Sequence, residues 1–254
     1  MPPIFQAVAQ AYRDLSRCLD ELRALAVIVL LITLAFQTAE TLLLPPPGGD
    51  TSRSILLRFV SNLAQGFLTV PYYIAVHRLV VLGERTSSYR LAPSEPRFQH
   101  FFWWWAALSV VAYVPISVVE MLSQTRSLAP LFYVAALVAM PVVLIAVVIV
   151  SLRLTIIFPA IAVDAPGADW RNVMADTKGY AWRIFLFGLV ASLPLMIPAL
   201  FLGALAGLGT ATGSWIVDAL SILFISALSV VGLTLLIVVA SRLYLWLGDR
   251  TKRT

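Results

Sequence analysis

Six long apolar runs dominate the chain, at 24–44, 55–82, 101–122, 131–158, 184–208 and 215–247. A helix rises about 1.5 Å per residue, so about 20 residues cross a hydrocarbon core of about 30 Å. Each run has that length. In lipid every backbone amide must be satisfied within the protein, and an open segment achieves this only as a helix. The pattern therefore predicts an all-α polytopic membrane protein. Its six-transmembrane-helix bundle covers 24–247 and is built of three helical hairpins. The expected outer connections, 45–54, 123–130 and 209–214, are short enough for antiparallel neighbours.

Two further helices are written in the periodicity. Phe5, Val8, Tyr12, Leu15, Leu19 and Leu22 recur at spacings of three and four, with Arg13, Asp14, Arg17, Asp20 and Glu21 between them. That is one apolar stripe on a helix. Residues 1–23 thus form an N-terminal amphipathic helix, lying along the membrane interface or packed under the bundle. Asp169 has the chemistry of an N-cap, and Trp170, Val173, Met174 and Thr177 share one face of a short helix after it. Residues 248–254 read as a basic tail.

Composition sharpens the class. The chain of 254 residues is 60% hydrophobic and 12% charged, about half the charge of a soluble domain, which leaves no room for a soluble catalytic domain. The first apolar run is too long for a signal-peptide core, so the N-terminus is expected to be retained. Cys18 stands alone, which excludes an intrachain disulfide.

The net charge of +5 is distributed as a topology signal rather than a nucleic-acid surface. One side of the runs holds Arg13, Arg17 and Arg23, then Arg78, Arg85, Arg90 and Arg97, then Arg153, Arg171, Lys178 and Arg183, then Arg242, Arg250, Lys252 and Arg253. The other side holds only Arg53, Arg58 and Arg126. Under the positive-inside rule both termini are cytoplasmic. Trp103, Trp104, Trp105, Trp182 and Trp246 at inner ends, and Trp215 at an outer one, act as interfacial anchors. Each even run ends in Arg, apolar residues and a breaker, at Arg78–Gly83, Arg153–Pro159 and Arg242–Gly248. This fits three diverged hairpin repeats, or simply the cytoplasmic ends of three helices.

Candidate chemistry is sparse. His77 and His100 are the only histidines, and no metal-ligand spacing or cysteine pair exists, so no metal or cofactor is expected. The glycine-rich 207–214 segment lacks the Lys of a phosphate-binding loop. No nucleophile–base pair is apparent, which predicts a non-enzymatic protein. Ionisable groups in apolar runs carry more information, because each costs free energy unless paired or hydrated. Glu40, Glu120 and Asp218 fall near outer helix ends at one depth, with Asn62 and Gln65 slightly deeper. Together they would line an outward polar site for a cation, a proton or an amine, or stand as separate interfacial acids. Arg78, Arg153 and Arg242 sit one per hairpin at the inner boundary. They would contact anionic phospholipid headgroups in a shared pocket, or snorkel singly to the surface. Pro71, Pro115, Pro141, Pro194 and Pro198 interrupt the runs and are expected to kink them. Gly203 and Gly207 have the spacing of a close helix contact.

One stretch resembles a known family. Ser151, Arg153, Pro159 and Asp164, followed by Asp176, Lys178, Gly179, Trp182 and Arg183, are similar to the six-helix membrane domain attached to some bacterial glycerophosphodiester phosphodiesterases, which also occurs free-standing. The resemblance covers about 40 residues. It implies a multi-pass bundle of a bacterial inner membrane associated with lipid metabolism, without the hydrolase activity. The resulting expectation is a protein that binds or moves a lipid or small amphiphile. The alternative is a scaffold subunit bound to a membrane protein partner.

Overall fold

The computed structural model describes residues 2–43, 51–124 and 130–252, with backbone alone at 51–53, 116, 119–124, 130–138, 210 and 211. Every regular element there is helical: α1 (Ile4–Glu21), α2 (Arg23–Leu43), α3 (Thr51–Leu82), α4 (Pro96–Gln124), α5 (Pro130–Leu154), α6 (Ile157–Ala162), α7 (Trp170–Asp176), α8 (Ala181–Thr212), α9 (Trp215–Leu247) and α10 (Asp249–Lys252). Four stretches among the described residues are long and apolar enough to cross a membrane: Arg23–Leu43, Ala139–Ala162, Ala181–Gly209 and Trp215–Leu247. The described parts of α3 and α4 fall outside that set, so six spans are not reached on composition. For α3 the reason is local, since it carries Arg58, Asn62, Gln65 and His77; in α4 the side chains are described without interruption only as far as Pro115. The connections expected at 45–54 and 123–130 lie largely outside the described residues, as do Asp50 and Arg126.

The long helices form a ring in which α2 packs on α3, α3 on α4, α4 on α5, α5 on α8, α8 on α9 and α9 on α2. α9 also packs on α3, across that ring. Its central place shows in burial: 39% of its most apolar window is buried, against 17% in the other three candidate spans. At the α8–α9 turn Gly213 takes a left-handed conformation (φ 65°) that favours glycine. Gly66 of α3 makes room for Trp105 of α4, since a Cβ there would lie 2.0 Å from the indole edge.

The α1 stripe is rotated from its expected face. Ala7, Ala11, Leu15 and Cys18 are buried against α8 and α9, while Phe5 is 81% exposed. Small residues let the helix axes approach, and that packing outweighs the bulk of Phe5. The 248–254 segment is not a free tail over its described part. Thr251 is fully buried, and Asp176 accepts the Arg250 and Thr251 amides and the Thr251 hydroxyl, each at 3.1 Å. The α7 N-cap forms as the sequence indicates: Asp169 accepts from the Arg171 amide at 3.3 Å. Val173 and Thr177 of its expected face are buried, whereas Trp170 is exposed.

Pro71, Pro115, Pro141, Pro194 and Pro198 all lie inside helices. A helical proline lacks its N–H and opens the preceding turn. At two of these sites a tyrosine from elsewhere takes a carbonyl three residues upstream. Tyr89 donates to Leu68 O at 2.7 Å before Pro71, and Tyr12 donates to Ala191 O at 2.9 Å before Pro194. A Cβ added at Gly203 or Gly207 would meet no atom within 4 Å, so neither position is glycine for the sake of a close helix approach.

Candidate functional site

A polar seam runs between α2, α3 and α9. α2 supplies Thr33, Gln37 and Glu40, spaced four and three apart and hence on one face. α3 supplies Ser61, Gln65, Thr69, Tyr72 and His77; α9 supplies Ser226, Thr234 and Ser241. Ser61 donates to Glu40 at 2.5 Å, Gln65 to Thr33 at 3.2 Å and Ser226 to Gln37 at 2.8 Å. Tyr72 meets Thr234 at 2.6 Å, and His77 Nδ1 meets Ser241 at 2.8 Å.

Proton counting fixes the direction of the last two bonds. A hydroxyl has one proton. Thr234 spends its own on Val230 O at 2.7 Å, and Ser241 on Ile237 O at 2.9 Å. Tyr72 therefore donates to Thr234, and His77 donates through Nδ1–H to Ser241. Both sites are buried. The seam is thus a satisfied network, which rigidifies a packed interface.

Of the outer polar set, Glu40 and Gln65 enter this seam. Asn62 points away and is exposed. Asp218 lies against α8, where a Cβ on Gly209 would fall 2.2 Å from its Oδ1. The Gln37–Ser226 bond sets the level of α2 against α9. From it, the helix rise puts Asp218 roughly 7 Å beyond Glu40. Glu40 and Asp218 therefore differ in depth, and Glu40 is bonded to Ser61 of α3 whereas Asp218 lies against Gly209 of α8. Glu120 lies on α4, with its side chain outside the described residues.

The three inner arginines do not converge either. Arg78 donates to Glu84 through Nε at 2.8 Å and through Nη2, and to Ala162 O at 3.0 Å. Arg153 donates to Met174 O and, at 3.4 Å, to Thr177. Arg242 grips Asp14 with two bonds of 2.5 and 2.7 Å. Ala162 ends α6, and Met174 lies in the last turn of α7. Arg85 likewise donates to Glu21 O, the end of α1, at 3.3 Å. Last-turn carbonyls are unsatisfied and carry the negative end of the helix dipole, which cations stabilise. These arginines are joints that fasten the short helices to the long ones.

No family model, curated protein or solved structure matches this chain. The site is therefore read from its own geometry. Among the described residues no three of His, Cys, Asp and Glu come together as a metal site. The seam itself was visible in the α9 sequence as hydroxyls eight and seven residues apart, on one helix face. None of the three is ionisable, so no charge in an apolar run marks them.

On the flank, α8 and α9 enclose an apolar groove of about 380 Å³. Leu195, Met196, Gly203, Leu228, Gly232 and Leu236 are among its walls. Pro194 and Pro198 lie on the same stretch of α8.

Proposed function

We propose that this chain is a non-enzymatic multi-pass protein of a bacterial inner membrane that binds a lipid or small amphiphile. Both termini are cytoplasmic, and α3 and α4 join the four most apolar helices as spans. The polar residues of α3 support its inclusion. Gln65, Thr69, Tyr72 and His77 turn inward and are bonded, so their polarity does not face lipid. The affinity with the glycerophosphodiester phosphodiesterase membrane domain belongs to this proposal and rests on the residues between 151 and 183 alone.

The observation that carries the reading is the α8–α9 groove, whose walls are predominantly apolar and which is open to the surface. An acyl chain fits that chemistry. A scaffold is favoured by a different observation: Ile197, Leu200 and Phe201 leave an exposed apolar face on α8. Mild detergent extraction followed by mass spectrometry separates the two. Lipid at fixed stoichiometry, lost in a Gly203→Leu variant that fills the groove, supports lipid binding. A stoichiometric protein partner lost in the same variant supports the scaffold. Retention of lipid by a folded Gly203→Leu protein would overturn the groove reading.

A further inference from the structure

Beyond the groove, the connection between α3 and α4 forms a second, chemically different cavity. Gly83 ends α3 with φ 72°, and the Glu84 amide bonds back to Arg78 O at 3.4 Å. The chain then returns along α3 instead of leaving it. Tyr89 reaches Leu68 O, a carbonyl 14 residues before the end of α3 and thus roughly 20 Å up the helix. α4 starts alongside, with Phe98 5.1 Å from the Phe67 ring.

This return borders a half-open cavity of about 180 Å³. Its polar lining is Arg78, Thr86, Ser88, Arg90, Glu95 and Arg97, over an apolar floor from α3 and Phe98. Two of the arginines are held in place. Arg78 is fixed by Glu84, and Arg97 by Asp164, which receives Arg97 Nε at 2.8 Å and lies 3.6 Å from Arg78. Asp164 takes a left-handed backbone conformation (φ 52°), which Asp tolerates better than most residues. The Arg90, Thr86 and Ser88 side chains, by contrast, make no hydrogen bond or ion pair within the described residues. Donors from a guanidinium and two hydroxyls that no protein group uses thus border one half-open space, Arg90 and Ser88 at its exposed rim and Thr86 deeper. That set suits a tetrahedral oxyanion, which takes a guanidinium fork and hydroxyl donors together.

We propose that this cavity binds a phosphate group, with Arg90, Thr86 and Ser88 as direct donors and Arg78 and Arg97 as its oriented wall. The group comes from a phospholipid headgroup or from a free phosphate. Glu95 is the one unpaired carboxylate in the lining and opposes the anion. The site is separate from the α8–α9 groove, so either can fail alone.

The test uses the full chain in detergent micelles, titrated with inorganic phosphate and separately with soluble dihexanoyl phosphatidylglycerol, followed by phosphorus NMR line broadening. Saturable binding is expected. Arg90→Gln should weaken it about tenfold, and Glu95→Gln should strengthen it. Arg90 has no partner to lose, so its variant should keep the wild-type melting temperature. Tighter binding of the lipid identifies a headgroup site, and binding of inorganic phosphate alone identifies a free-phosphate site; both support the assignment. The Gly203→Leu variant should bind phosphate as the wild type does. Absence of saturable binding, or unchanged affinity in folded Arg90→Gln, would overturn the proposal.

Discussion

Replacing Gly66 by Ala tests the closest helix contact in the bundle. An added Cβ would lie 2.0, 2.1 and 2.6 Å from three atoms of the Trp105 ring, where ordinary contact begins near 3.4 Å. The indole must therefore retreat by more than 1 Å. It stacks on Phe102 with centroids 6.2 Å apart, and Phe102 in turn meets Phe67 at 5.2 Å. The retreat disturbs a packed aromatic cluster. Overpacking of this kind costs about 1–3 kcal/mol, while Ala over Gly in a helix interior gains about 1 kcal/mol. The net expectation for Gly66→Ala is a loss of up to about 2 kcal/mol. With Trp105 already changed to Ala, the clash is gone and the same substitution should stabilise by about 1 kcal/mol. Thermal unfolding of the four proteins in one detergent, followed by circular dichroism, gives the coupling. An equal effect of Gly66→Ala in both backgrounds would refute the close packing of α4 on α3.

Cys18 is fully buried, and burial pushes its thiol up to about 12 from an ordinary value of 9.0. Maleimide at pH 8 should leave the native protein unlabelled and react promptly after SDS denaturation; rapid native labelling would mean that α1 is undocked. The folded state holds this proton more tightly than the unfolded state. Its contribution to stability is therefore present below pH 9 and declines as the pH rises from 9 towards 12. Arg242→Gln should lower stability by about 1–3 kcal/mol, less than for a fully buried pair because both partners keep some exposure. The double variant with Asp14→Asn should recover part of that loss, and a single variant as stable as the wild type would contradict a structural role.

Helix positions were legible because apolar runs of span length permit little else. α2 begins at Arg23, one residue from its run, and α9 matches its run at both ends. α4 starts five residues early, since Pro96 suits a first helical turn and Arg97, Gln99 and His100 continue it. α8 continues past Leu208 to Thr212, until Gly213 allows the left-handed stop. The α1 stripe was legible for Val8, Tyr12, Leu15, Leu19 and Leu22, which are buried or packed on the core, but not its centre, where close packing selects Ala7, Ala11 and Cys18 and leaves Phe5 outside. The partners of the arginines were not legible at all. Arg242 and Asp14 are 228 residues apart, and no local pattern joins them.

The hydroxyl partners of α3 have a consequence for how the chain is made. Tyr72 and His77 precede Thr234 and Ser241 by 162 and 164 residues. During synthesis from the N-terminus, α3 exists long before α9, and its inward polar face has no partners in the interval. Water or a transient protein partner must satisfy these groups until α9 emerges. Truncation ahead of α9 should thus leave α3 poorly seated even though its own sequence is intact. α9 thus acts as the member that completes the α3 network, and seating of α3 reports on the arrival of α9.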